Sequence, residues 1–171
     1  MISKYVAYAL SFTFLFFIAT DTPSLDNALI PRSAIKEIVL EEALNSEVPP
    51  ALALAVARVE SDFNADALSS AGARGVMQIM PRTGREEYGV GRDELWNARL
   101  NIRLGIDYLA RLQKQYGGRW DLALSHYNGG TLRGHGRYAR PHSFTRRYVS
   151  SVYRWWQRYE RLASVGRGRD H

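Results

Sequence analysis

Apolar residues recur along most of this chain at the spacing of an α-helix, whereas alternation with a period of two is scarce. In the clearest case, Leu52, Val56 and Val59 follow one another at intervals of four and three residues, and Phe63 comes four residues later. This pattern predicts a mainly α fold. The predicted helices cover residues 33–44, 51–63, 81–87, 98–116, 119–128 and 143–162.

The length of 171 residues suits one domain that is large enough to bury a core of its own. The chain has no cysteine, which excludes both a disulfide framework and a thiolate metal site. His126, His135 and His142 lie close together in the sequence, but no carboxylate accompanies them at the spacing of metal ligands. We therefore expect neither a metal nor a cofactor.

The N-terminus has the composition of an export signal. Lys4 provides a short basic region, and residues 6–19 are almost wholly apolar, a run too short to cross a membrane comfortably. We expect residues 1–30 to be a signal peptide, or an uncleaved anchor, with a short polar spacer; a buried N-terminal helix is the alternative. The single folded domain is expected at 31–165, with a basic tail at 166–171.

Glu60 is the residue that carries most functional information. In the predicted helix 51–63 it lies about 40° around the axis from Val56, on the shoulder of the apolar stripe. A carboxyl that is partly desolvated there should have a raised pKa, which is what a general acid needs near neutral pH. From helical position alone, the alternative is a rim glutamate paired with Arg58 or with a basic loop residue.

Several motifs follow Glu60 in a fixed order. Glu60-Ser61 is followed about fifteen residues later by the segment Gly-Val-Met-Gln-Ile-Met-Pro at 75–81, and then by Asn-Ile at 101–102, Gly-Ile-Asp-Tyr-Leu at 105–109, Tyr-Asn-Gly-Gly at 127–130 and Tyr-Val at 148–149. Over about residues 35–152 the chain thereby resembles the family 1 lytic transglycosylase domain, which is related to goose-type lysozyme. The resemblance implies a lysozyme-like single domain with a substrate groove, acting on peptidoglycan glycan strands.

The resemblance also implies roles for individual residues. Glu60 matches the catalytic acid/base of the family, and Ser69 matches a serine that contacts the glutamate or the substrate. The implied substrate-binding set as a whole is Ser69, Met77, Gln78, Met80, Tyr127, Asn128 and Tyr148. The last three are also expected to contact or face the glutamate. Core packing remains the alternative for Met77, and ending the helix remains the alternative for Ser61.

This chain departs from the family pattern in its second half. His126 stands where the family commonly has Ala, Phe144 stands where it commonly has Glu, and the loop 134–142 has a composition of its own. These departures leave the catalytic residues in place. They make the family's sugar contacts uncertain in the corresponding half of the groove.

Glu60 has no clear second carboxylate in the sequence. Asp62 points to a different helix face, Asp107 and Asp121 belong to other predicted helices, and Asp66 is the only nearby candidate. The resemblance implies a mechanism with one carboxylate, in which the muramyl 6-hydroxyl attacks and 1,6-anhydromuramic ends are formed. A lysozyme-like muramidase, which uses water instead, is the alternative.

The net charge of +6 and the ten arginines in the last forty residues favour a polyanionic partner. Charge alone is compatible with nucleic acid, anionic lipid or the carboxylates of peptidoglycan. The resemblance favours peptidoglycan in the periplasm, with secretion or pilus machinery as a further candidate partner and an accessory role there as another alternative. We expect no nucleic acid, and membrane contact only through an uncleaved N-terminus; the arginine face around Trp155 and Trp156 is a further candidate docking surface.

Overall fold

The computed structural model describes residues 30–129, 132, 134 and 138–167. In this part the chain forms no β-strand, only isolated bridges, two of which join Arg74 to Leu68 and to Ile79, so the predicted mainly α fold is confirmed. Its α-helices, α1 to α6 in chain order, are Arg32–Leu44, Pro50–Ser61, Pro81–Tyr88, Ala98–Gln115, Trp120–Tyr127 and Arg146–Arg167. The expected export signal and most of the expected basic tail lie outside the described residues.

Among the described residues, no helix has the length and apolar character needed to cross a membrane.

The end of α2 differs from the prediction. The helix stops at Ser61 because Asp62 and Phe63 both adopt left-handed backbone, with φ of 54° and 61°. The side chain of Phe63 is nevertheless buried, at 1% exposure, so it joins the core from the loop that follows the helix. Glu60 therefore lies in the last turn of α2, next to a sharp change of chain direction.

The start of α6 also differs from the prediction. The last helix was predicted to begin at residue 143, but Phe144 lies in the 3-10 turn Ser143–Thr145 that precedes α6 and is 62% exposed. The buried residue there is Thr145, whose hydroxyl forms a hydrogen bond of 2.7 Å with that of Ser125 on α5. The start of α6 is therefore held by a hydrogen bond between two hydroxyls and not by the packing of an aromatic ring.

Helix α2 forms the centre of the core. All residues from Leu52 to Ala57 are buried, so this part of the helix is covered on every side, chiefly by α1 and α6. The alanines Ala53, Ala55 and Ala57 let neighbouring helices approach closely, while Leu52 and Val56 fill the remaining volume. Each fully buried Leu or Val contributes about 1.5–3 kcal/mol, so this packing firmly fixes the end of α2.

The loop between α2 and α3 is held by the side chain of Asn101 on α4, which is fully buried. The Asn101 side-chain oxygen accepts from the Met77 backbone N–H at 2.8 Å, and its amide donates to the Arg74 and Leu95 carbonyls at 2.8 and 3.0 Å. Gly75 passes directly over this amide with φ of 73°, where a Cβ would come within 2.7 Å of the Asn101 side chain. Only glycine fits this crossing.

We expect Asn101→Ala to lower the free energy of unfolding by about 2–4 kcal/mol, because one buried N–H and two carbonyls lose their partner. Asn45 is a matched control, since its exposed amide makes one bond to the Glu41 carbonyl at the end of α1. Asn45→Ala should cost less than about 1 kcal/mol. Urea denaturation measures both, and equal losses would show that Asn101 does not clamp the loop.

Candidate active site

A groove with a volume of about 1300 Å³ runs across one face of the described structure. Its walls come from the end of α2, the following loop, α3, α4, α5 and the segment after α5. Six residues singled out from the sequence line it together: Glu60, Ser69, Gln78, Met80, Tyr127 and Asn128. Residues that are far apart in the chain thus meet at one concave surface, the usual form of a ligand site.

Glu60 lies in the groove wall and is partly buried. Burial raises its pKa to about 7, because a carboxylate loses hydration there. Tyr148 opposes this effect, since its hydroxyl donates a hydrogen bond of 2.5 Å to Glu60 Oε1 and favours the charged form. The effect of burial is the larger of the two. The carboxyl is therefore half protonated near neutral pH, as a group that must first give and then take a proton requires.

The turn after Glu60 is tied to the neighbouring loop. The Ser61 hydroxyl donates to the Val76 carbonyl at 2.8 Å, in addition to a weaker bond of 3.3 Å to Ala57 in its own helix. Asp62 forms ion pairs with Arg58 and with Arg32 at the start of α1. Ser61 therefore does more than end the helix, because it joins the end of α2 to the loop between α2 and α3.

Ser69 and Gln78 line the groove, but their side chains also form hydrogen bonds within the loop itself. The Ser69 hydroxyl accepts from the Ala73 N–H at 2.9 Å, and no bond to Glu60 is formed. The Gln78 amide donates to the carbonyls of Ala67 and Gly75, both at 3.0 Å, and its backbone has φ of 49°. The polar amide within an apolar run thus has partners, as buried polar groups require.

Met77 does not line the groove, so its assignment as a substrate contact is wrong and the alternative of core packing holds. Its side chain is fully buried and lies against Gly105 of α4, where a Cβ would come within 2.5 Å of the Met77 Cβ. Its carbonyl accepts a hydrogen bond of 2.7 Å from the Tyr127 hydroxyl. Tyr127 lines the groove, therefore, but donates to this carbonyl and not to Glu60.

The other residues expected at the site are Met80, Asn128 and Tyr148, and they differ in their exposure to the groove. Met80 and Asn128 are exposed at the groove surface, where a ligand can reach them. Tyr148 does not line the groove and reaches Glu60 from behind, from the first turn of α6. Burial raises the pKa of Tyr148 well above its usual value, so this hydroxyl remains a donor.

Other residues that line the groove had no direct signal in the sequence. Helix α3 contributes Glu86 and Glu87, and α4 and α5 contribute a group of rings comprising Tyr108, Tyr116 and His126. The Tyr116 hydroxyl and His126 Nδ1 are 2.6 Å apart, and burial lowers the pKa of this histidine. In the sequence, His126 stood out as a departure from the family pattern and as one of three nearby histidines, and neither observation placed it in the groove.

A second carboxylate close to Glu60 is not evident in the described part of the chain. Asp66 is exposed and lies outside the groove. Glu86 and Glu87 line the groove but are bound to Arg82 and Arg111, at 2.9 and 3.0 Å. No group of three His, Asp or Glu side chains that could hold a metal ion occurs among the described residues.

Comparison with known proteins agrees with this geometry. The family model described as the transglycosylase SLT domain matches residues 37–146. Two Escherichia coli K12 relatives are membrane-bound lytic murein transglycosylase D, 37% identical over 79 residues (44% of this chain), and soluble lytic murein transglycosylase, 33% identical over 94 residues (51% of this chain). The aligned parts span only 17% and 15% of those proteins.

Similar solved structures include an inactive Pseudomonas aeruginosa lytic transglycosylase, Slt, in which one glutamate is replaced by glutamine. It is 29% identical, with a TM-score of 0.65, and the match covers 75% of this chain and 24% of that one. The expected lysozyme-like fold class is thereby confirmed.

Glu60→Gln should stabilise the protein by up to roughly 3 kcal/mol at about pH 8 and have little effect at about pH 4. The pKa of Glu60 is about 7 in the folded chain against a usual 4.5, so the folded state holds this proton more tightly than the unfolded chain. Stability is therefore lost as the pH rises through this window, and glutamine removes the loss. Denaturation at both pH values measures the effect.

The control for this experiment is Glu160→Gln, which removes one negative charge from an exposed position on α6. Its effect on the free energy of unfolding should be small and should not follow the pattern of Glu60→Gln. A Glu60→Gln effect that is the same at both pH values would contradict the raised pKa.

Proposed function

The chain belongs to the transglycosylase SLT domain family, and from this premise we propose that it is a peptidoglycan lytic transglycosylase. Its proposed reaction cleaves the β-1,4 bond between N-acetylmuramic acid and N-acetylglucosamine without adding water. The observation that carries the proposal is the Glu60 carboxyl, which lines the groove and has a pKa of about 7. The names of the relatives support the substrate class.

In the first step, protonated Glu60 donates its proton to the glycosidic oxygen as the bond from that oxygen to muramyl C1 breaks. The leaving sugar departs as a neutral alcohol, and positive charge develops at C1. A pKa near neutrality makes such proton transfer efficient, and general acid catalysis of this kind contributes about 10²–10⁴-fold in rate. The burial of Glu60 is therefore the property that supports its role as the acid.

In the second step, the Glu60 carboxylate takes the proton of the muramyl 6-hydroxyl while that oxygen bonds to C1. The product is a 1,6-anhydromuramic end, Glu60 is protonated again, and no water enters the balance. Because nucleophile and electrophile belong to one sugar ring, the attack benefits from proximity. Tyr148, which donates to Oε1, would stabilise the carboxylate between the two steps.

The remaining groove residues are proposed to hold the sugars. Ser69, Gln78, Met80 and Asn128 face the groove and are available as hydrogen-bonding or apolar contacts. Tyr127 presents its ring to the groove while its hydroxyl holds the Met77 carbonyl. Its role would be to shape the wall beside Glu60.

A one-carboxylate mechanism fits the charges around Glu60. Glycosidases that use water or an enzyme nucleophile carry two carboxyl groups about 5–10 Å apart across the bond. Burial and the hydrogen bond from Tyr148 are the causes of the pKa shift of Glu60, and no carboxylate is among them. Glu86 and Glu87 are also neutralised by arginines. A muramidase that uses water remains the second candidate, because these two carboxylates share the groove.

The proposed location is the periplasm, reached through the N-terminal segment 1–30 as a signal peptide or an uncleaved anchor, with residues 31–165 as the catalytic domain and 166–171 as a tail. The periplasm is where peptidoglycan strands are found, and the apolar run at 6–19 supports export. Secretion or pilus machinery is the proposed partner class, since such assemblies must pass through the wall. No cofactor is needed by the chemistry proposed.

Digestion of peptidoglycan by the purified protein should release muropeptides lighter by one water than hydrolysed ones, without a reducible end. Glu60→Gln should lower this release by at least about 10²-fold, because the proposed proton donor is lost. Asp66→Asn is the matched control, since Asp66 is exposed outside the groove, and it should retain activity. Mass spectrometry of the soluble products measures both quantities.

Two results of the digestion would contradict the proposal in different ways. Reducing ends that contain an added water would make the enzyme a muramidase. Full activity of Glu60→Gln would remove Glu60 from the chemistry.

Tyr148→Phe should shift the alkaline limb of the pH–rate profile upward. The bond from Tyr148 lowers the pKa of Glu60, so its loss leaves the carboxyl protonated to a higher pH. Tyr153→Phe, at a half-buried position on the same helix beside Trp156, is the control and should leave the limb unchanged. An unshifted limb in Tyr148→Phe would show that Tyr148 does not tune Glu60.

A further inference from the structure

The outer face of α6 carries a concentrated positive charge. At about 100° per residue, five exposed arginines fall within one sector of about 120°. The centre of this sector is opposite the buried residues Val149 and Val152, so it points away from the core. We call it the cationic face, and its members are Arg146, Arg147, Arg154, Arg158 and Arg161.

The charges of the cationic face are not compensated. None of its arginines forms an ion pair with any residue in the described part of the chain. Several other surface arginines are paired; Arg99, for example, binds Glu41 and Glu42. The single acidic residue of α6, Glu160, lies outside the sector. Uncompensated like charges on one face raise the local positive potential and attract anions.

Apolar side chains accompany these charges at the C-terminal end of α6. Leu162 is 60% exposed and Val165 is 57% exposed; Val165 lies within the sector, and Leu162 lies about 40° beyond its edge. From Arg158 to Val165 every residue except Tyr159 is exposed, so this part of the helix is largely uncovered by the domain. Arginines beside exposed aliphatic residues are the pattern of a helix that lies on a membrane surface.

The cationic face is separate from the groove. No described residue of α6 lines the groove, and Tyr148 reaches Glu60 from behind. A large partner bound to the cationic face would therefore leave the groove open to a glycan strand.

We propose that the cationic face docks on an anionic phospholipid surface. Guanidinium groups pair with lipid phosphates in bidentate geometry, while Leu162 and Val165 enter the headgroup region. The two aliphatic residues favour lipid over a polyanionic polymer, because only a lipid surface offers them an apolar environment. Docking in this way would hold the enzyme at the membrane with its groove free, independently of any N-terminal anchor.

A fluorescent label tests whether this part of α6 contacts lipid. The chain contains no cysteine, so Leu162→Cys in the full chain gives one attachment point for an environment-sensitive dye. Leu44→Cys, at a leucine that is 73% exposed at the end of α1, is the matched control. With vesicles of phosphatidylglycerol and phosphatidylcholine, the label at position 162 should shift to the blue and the label at 44 should not.

The contribution of charge is tested by a triple variant, Arg154→Gln, Arg158→Gln and Arg161→Gln. Its affinity for the anionic vesicles should fall about 100-fold, since each arginine near such a surface contributes about fivefold. The matched control removes the same charge from exposed positions elsewhere, with Arg85→Gln, Arg92→Gln and Arg103→Gln, and should lose far less. The N-terminal segment is common to all variants, so differences between them report the cationic face.

The proposal is overturned if both triple variants bind the vesicles equally, or if the labels at 162 and 44 respond alike. It is also overturned if the label at 162 responds to purified wall sacculi or to nucleic acid but not to vesicles, because the face would then bind a polymer. Pure phosphatidylcholine vesicles should give no shift at position 162, and an equal shift there would exclude the role of lipid charge.

Discussion

The packing of α2 against α6 is the constraint on which the site depends, because it brings the Tyr148 hydroxyl to the Glu60 carboxyl. Two effects of opposite sign act on that carboxyl. Burial favours the neutral form and the hydrogen bond favours the charged form, and burial is the larger effect, so the pKa rises to about 7. One residue can then give a proton and take one back in a single reaction cycle, which is what the proposed mechanism requires of it.

The groove wall beside Glu60 depends on one peptide segment that is held from two sides. The Met77 N–H is bound by the Asn101 side chain, and the Met77 carbonyl is bound by the Tyr127 hydroxyl. Ser61 fixes the preceding carbonyl, at Val76. Helices α2, α4 and α5 thus meet at two consecutive residues of the loop. This arrangement explains why a buried methionine and a tyrosine that forms no hydrogen bond with Glu60 both belong to the motifs that flank the site.

Parts of the site that depend on local sequence were predictable. The position of Glu60 on the shoulder of the α2 stripe follows from helical spacing, and its raised pKa was expected from that position. Gln78 is a polar residue within an apolar run, which by itself calls for hydrogen-bond partners, and its amide has two. Function itself came from the resemblance, since helical position alone left Glu60 open to interpretation as a rim glutamate.

Features that depend on contacts between distant segments were not predictable. Left-handed backbone at Asp62 and Phe63 has no local glycine signal, so the end of α2 was placed too late. The burial of Met77 is decided by Gly105 on another helix. Glu86 reaches the groove only through the placement of α3. In each case the deciding neighbour is many residues away in the chain.

The central claim is that Glu60 keeps its proton up to neutral pH, and a carboxyl carbon titration tests it most directly. With glutamate labelled by ¹³C at the side-chain carboxyl, the signal of Glu60 can be assigned by its absence in Glu60→Gln and followed by NMR across the pH range. We predict a midpoint of about 7. A midpoint near the usual 4.5 would contradict the account, because Glu60 would then be ionised at neutral pH and would have no proton to donate.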